Sequence, residues 1–172
     1  MMRVIVTFGL IGGLVAIFGI IGTILLSWGS VWLGYLVMLV ALSAILVGVK
    51  QHRDQALGGV IKFRTGLGIG LGIAVVAALV YAAVWEGYQA LTHYQYMDHY
   101  IAQTLAAKRA AGVSGAAYAK VAAEMAELGR NYANPLYRLA TTFVEIFPVG
   151  VLVALVSAVL LRNPRFLPAR GR

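Results

Sequence analysis

Four long apolar runs, separated by short polar or basic stretches, set the pattern of this chain. Residues 4–26 carry no charge, and a run of that length exceeds the roughly 20 residues with which an α-helix crosses a bilayer. It is too long for the apolar core of a cleaved signal peptide and lacks a small-residue cleavage motif, so it reads as a retained first helix. The uncharged link Ser27-Trp28-Gly29-Ser30 leads into a second run at 31–49, which ends at the basic stretch Lys50-Gln51-His52-Arg53. A third run covers about 66–91 and a fourth about 135–161. Asn134 before Pro135 is a good helix start, a capping side chain followed by proline in the first turn. Between the third and fourth runs, about 97–130 is helix-prone but only mildly apolar. Its Ala-rich first half stops at Gly112-Val113-Ser114-Gly115, and its second half places Tyr118, Val121, Ala122, Met125 and Leu128 at helical spacing. The pattern predicts an all-α integral membrane protein, a four-helix bundle in a single domain over 1–172. An extracytoplasmic helical hairpin joins spans three and four, and a basic tail fills 162–172.

Composition strengthens the membrane reading. Of 172 residues 61% are hydrophobic and 12% charged, against roughly 25% charged in a soluble domain. The 14 Lys and Arg exceed the 6 Asp and Glu, for a net charge of +8. In a soluble protein that balance points to nucleic acid. Here the basic residues sit at span ends, where they meet anionic lipid head groups, so no nucleic-acid partner is expected. Arg3, Lys50, Arg53, Lys62, Arg64, Arg162, Arg165, Arg170 and Arg172 all fall on one side, and the positive-inside rule makes that side cytoplasmic, with both termini on it. Trp28, Trp32, Tyr35, Trp85, Tyr88, Tyr94 and Tyr96 gather at the opposite ends, as an outer aromatic belt does.

Two kinds of side-chain stripe follow. Gly9 and Gly13 on span one, and Gly66, Gly70, Ala74 and Ala78 on span three, recur at four-residue steps, and small residues let helix backbones approach closely inside a membrane. They suit packing within one bundle or a homodimer seam along span three. Arg138, Thr141, Thr142 and Glu145 share one face of span four, and Glu86, Gln89 and His93 share one face of span three. At ~1.5 Å rise per residue, Glu86 lies ~33 Å from Arg64 and Arg138 ~36 Å from Arg162, so the two fall at similar height near the outer interface and are set to pair. Glu145, ~25 Å from Arg162, lies somewhat deeper. Pro148 withholds a backbone donor from the carbonyl of Val144, so a kink is expected beside Glu145. Thr141 or Thr142 can donate to that carboxylate, which makes a satisfied packing cluster the first expectation for it.

No catalytic constellation is visible. The chain has no cysteine; His93 and His99 stand six apart with no metal-binding pattern around them. Ser43 and Ser157 have no base at their depth, and the glycines of span three precede no Lys-Ser/Thr. Neither an enzyme, a metal nor a cofactor is expected. Leu57-Gly58-Gly59-Val60-Ile61-Lys62-Phe63, Met97-Asp98-His99-Tyr100, Asn134-Pro135-Leu136 and Thr142-Phe143-Val144-Glu145-Ile146-Phe147-Pro148-Val149-Gly150 together resemble the bacterial membrane family catalogued as domain of unknown function 4199. The resemblance implies a four-span bacterial membrane protein and brings no catalytic residues with it. The expectation is a non-enzymatic scaffold or accessory subunit of the bacterial inner membrane. It is expected to self-associate as a homodimer or to join a further, unidentified membrane partner. The alternative is a small transporter using Glu145, with Glu86 and Arg138 as counter-charges.

Overall fold

The computed structural model describes residues 1–26 and 30–169. Trp28 of the expected aromatic belt, with Ser27 and Gly29 of its link, and Arg170 and Arg172 of the basic tail lie outside the described residues. Among the described residues seven helices follow one another: α1 (Met2–Leu25), α2 (Val31–Leu42), α3 (Ala44–Ala56), α4 (Phe63–Leu91), α5 (Tyr96–Ala110), α6 (Gly115–Tyr132) and α7 (Pro135–Leu161). No strand occurs among the described residues. Four stretches, Met2–Leu25, Val31–Ala56, Phe63–Leu91 and Pro135–Leu161, are long and apolar enough to cross a membrane. The chain is a multi-pass membrane protein.

The second stretch is interrupted where the sequence pattern shows no break. At Ser43 the hydroxyl donates to the carbonyl of Val40 at 2.6 Å, and the backbone N–H is shared between Leu39 and Val40 carbonyls at 3.0 and 3.2 Å. A serine that bonds back to its own preceding turn tightens the helix there, which separates α2 from α3. Helix α3 then continues through the basic stretch expected to end the span, as far as Ala56. Gly58 and Gly59 close it with positive φ of 65° and 92°, the left-handed region glycine enters without steric cost, and the Gly59 N–H bonds the Arg53 carbonyl at 3.0 Å.

Residues 1–84 and 142–172 form one compact unit. Its interior is built by small residues. A Cβ added at Gly13 would lie 2.6 Å from the carbonyl oxygen of Ala77, one at Gly9 2.5 Å from Val76, and one at Gly70 2.8 Å from the Cβ of Ala154. On α7, a Cβ at Gly150 would come within 2.9 Å of Ala74, and Gly66 faces Ala158. Ala74 and Ala78 are buried, with Ile17, Leu42, Ile45, Ile69, Ile73 and Ile146 filling the space between. Gly9, Gly13, Gly66, Gly70, Ala74 and Ala78 therefore all meet neighbours inside the chain.

The other unit, residues 85–141, holds α5 and α6 with the adjoining ends of α4 and α7. Arg109 lies over the ring of Tyr118 at 4.8 Å, and a Cβ at Gly129 would meet Ile101 at 3.1 Å, so α5 packs against α6. Neither helix has a buried residue. Asn134 caps α7 through its side-chain oxygen, which accepts the N–H of Leu136 at 3.0 Å.

Candidate functional site

In the second unit Glu86, Tyr94 and Tyr132 gather around Arg138. Its Nε donates to Glu86 Oε2 at 2.7 Å and its Nη2 to Glu86 Oε1, a two-pronged ion pair. Such a fork is both stronger and more orienting than a single charge contact. The third guanidinium nitrogen, Nη1, donates to the carbonyl of Tyr132 at 2.9 Å. Aromatic rings flank the cation, Tyr94 with its centroid 4.7 Å away and Tyr132 at 5.7 Å. Arg138 is 4% exposed, so its charge is neutralised by contacts within the chain.

Tyr132 ties this pair to a neighbouring group. Its hydroxyl accepts the indole N–H of Trp85 at 2.8 Å and the Gln89 amide at 3.2 Å. Gln89 is fully buried, and its Oε1 has no partner among the described residues. Trp85 also meets Tyr96 edge-on at 4.9 Å and stacks on Tyr88 at 5.4 Å. No sequence pattern singles out Tyr94, Tyr96 or Tyr132 as a site residue. Tyr94 and Tyr96 read as belt aromatics, and no periodicity links Tyr132 to Trp85 across 47 positions.

His93 departs from the expected stripe. Helix α4 ends at Leu91, and His93 and Tyr94 both take positive φ, 53° and 58°, which non-glycine residues adopt rarely. The i+7 position therefore does not exist on a helix, and His93 is exposed, outside the Arg138 cluster. The same left-handed turn brings the Tyr94 ring onto Arg138. Among the described residues no group of three His, Asp or Glu is placed to hold a metal ion.

Glu145, on the α7 segment of the first unit, is a different case. Its side chain is exposed, between exposed Val144 and buried Ile146. It makes no hydrogen bond or ion pair to a described residue. Thr141 spends its hydroxyl on the carbonyl of Tyr137 at 2.7 Å, and Thr142 is buried. The internally satisfied Glu145 expected from the sequence is thus absent, because the helix turns this position away from the bundle. Pro148 is also exposed and sits within an uninterrupted α7. It deprives Val144 of its i+4 donor without ending the helix.

A third polar centre has no local sequence pattern behind it. Arg53, counted from sequence among the head-group anchors, is 0% exposed. Its Nε donates to Asp54 at 2.7 Å, and its two terminal nitrogens donate to the carbonyls of Phe166 and Leu167. Lys50 pairs with the same Asp54. Leu167 takes a positive φ of 46°, so the tail after α7 is held in a strained bend over this arginine.

The chain matches the family described as Protein of unknown function (DUF4199) over residues 7–163. It belongs to the DUF4199 family. That match takes in most of α1 and the whole of the later helices, with the Arg138 cluster, Glu145 and Arg53, and the description attaches no reaction to a DUF4199 protein. No curated protein and no solved structure matches the chain.

Proposed function

We propose that this protein is a non-enzymatic accessory or scaffold subunit of a membrane assembly, joined to its neighbour through the outward face of α7. The observation that carries the reading is Glu145: an exposed carboxylate with no partner among the described residues, on a helix otherwise apolar enough to span a bilayer. A charged group at membrane depth is costly and is kept where something pairs with it. With the Val144 carbonyl released by Pro148, that face offers acceptors and no matching donor. A neighbouring helix bearing Arg, Lys or an amide at the same depth supplies what is missing, and interhelical hydrogen bonds of this kind hold membrane helices together.

A two-fold pair of copies joined on this face would set carboxylate against carboxylate. Self-association therefore uses a different face of the second copy, or the neighbour is another chain. Replacing Glu145 with Leu tests this without endangering the fold, because leucine suits a lipid-facing position. The Glu145→Leu chain should accumulate normally and migrate in native electrophoresis at a smaller mass than the wild type; unchanged migration contradicts the reading. The runner-up, transport through Glu145, instead requires Glu145→Gln to abolish proton-coupled flux while leaving the assembly intact.

Four spans set both termini on one side. Arg3, Lys62, Arg64, Arg162 and Arg165 near those ends support a cytoplasmic assignment, in the inner membrane of a bacterium. The absence of cysteine gives a clean test by single substitution. Ala116→Cys should react with a membrane-impermeant maleimide on intact cells and Arg3→Cys only after lysis; the reverse pattern inverts the topology.

A further inference from the structure

An open cleft of about 490 Å³ in the first unit is lined by Phe63, Val159, Arg162 and Asn163, where α4 begins and α7 ends. We propose that it seats the phosphate of an anionic phospholipid. This is independent of the Glu145 face.

The polar half of the cleft is all donor. Arg162 has no ion pair among the described residues. Asn163 already uses its side-chain oxygen to accept the N–H of Arg165 at 3.0 Å, which leaves the amide nitrogen as the group it can offer. A guanidinium beside a free amide N–H matches a phosphate oxygen set. Phe63 and Val159 form an apolar wall that a free inorganic anion has no use for and an acyl chain does.

The charge balance around the cleft points the same way. Lys62 and Arg64 adjoin Phe63 in sequence, and Arg165 follows Arg162 by three positions. None of Lys62, Arg64 or Arg165 has an ion pair among the described residues. The unit holds two acidic side chains, Asp54 and Glu145. Asp54 is taken by Lys50 and Arg53, and Glu145 lies more than four helical turns before Arg162 on α7. Basic pockets between membrane helices on the cytoplasmic side are where anionic head groups bind.

The full chain, equilibrated with vesicles of equal phosphatidylcholine and phosphatidylglycerol and released into detergent, is examined by native mass spectrometry. Wild type should retain one phosphatidylglycerol, and Arg162→Gln should retain it about fivefold less, the worth of one cation beside an anionic head group. Lys120→Gln, an equal charge change on α6, should match wild type. If Arg162→Gln does not fold, Asn163→Leu should show the same loss. Equal retention by Arg162→Gln and Lys120→Gln, retention of phosphatidylcholine as readily as phosphatidylglycerol, or complete displacement of the lipid by millimolar inorganic phosphate would each overturn the site.

Discussion

Arg138 is held by contacts of three kinds at once: a carboxylate fork from Glu86, a backbone carbonyl from Tyr132, and the faces of two tyrosine rings. A buried cation so surrounded fixes the geometry of everything that touches it. Removing it strands the Glu86 carboxylate and the Tyr132 carbonyl together. Arg138→Met should therefore lower unfolding stability by about 2–4 kcal/mol, the range for deleting one member of a largely buried ion pair. Thermal unfolding in detergent followed by tryptophan fluorescence, with Trp28 and Trp32 replaced by Phe so that Trp85 reports alone, measures it; a loss of a few tenths of a kcal/mol would mean that the pair is solvated and does not organise the unit. Pairing of Glu86 with Arg138 was legible because both fall a similar number of residues from basic span ends. The aromatic shell was not, since nothing in one sequence shows that Tyr132 reaches Trp85, or that two left-handed residues swing Tyr94 onto the guanidinium. The outward turn of Glu145 is illegible in the sequence for a related reason. Helical spacing says which residues share a face, but not whether that face turns inward.

At the level of elements, hydropathy anticipated four long apolar helices, because a run of some 20 apolar residues has few other uses, although the second runs on to Ala56, past its expected end at 49. The glycines around 112–115 located the α5–α6 boundary as well. Spacing identified the small-residue faces but not their partners. Gly13 now has one: its missing Cβ would collide with a backbone oxygen of α4 that cannot move aside. Gly13→Ala should cost about 1–3 kcal/mol, as overpacked interiors do. Gly68→Ala, where nothing lies within 4 Å, should be neutral or gain up to about 1 kcal/mol from helix propensity. Equal stabilities for the two in chemical denaturation would show that α1 and α4 do not approach as closely as described. The Arg53 clamp lies beyond any local pattern, since it joins residues 113 and 114 positions apart. Arg53→Met should free the tail while leaving the helices intact, so that trypsin cuts after Arg162 and Arg165 at least about tenfold faster, the opening expected when charged hydrogen bonds to a terminal segment are lost. Unchanged cleavage would mean that the tail is held by something else.

For the whole molecule, most polar groups in the spans are accounted for inside the chain, and Glu145 is not. Glu86 and Arg138 satisfy each other, Arg53 is consumed by Asp54 and the tail carbonyls, and Gly9, Gly13, Gly66, Gly70, Ala74 and Ala78 are packed internally. Among the described residues of the four span helices, Glu145 is the one exposed carboxylate on a mainly apolar outward surface, and that asymmetry is the basis for reading the protein as a subunit. The most direct test places a photo-crosslinking residue at Val144, beside Glu145, and as a control at Phe18, on the exposed apolar face of α1, in native membranes. The reading predicts a discrete adduct above the 18.4 kDa chain from position 144, lost when Glu145 is replaced by Leu, and none from position 18. Identical results from both positions, or an adduct indifferent to Glu145, would contradict it.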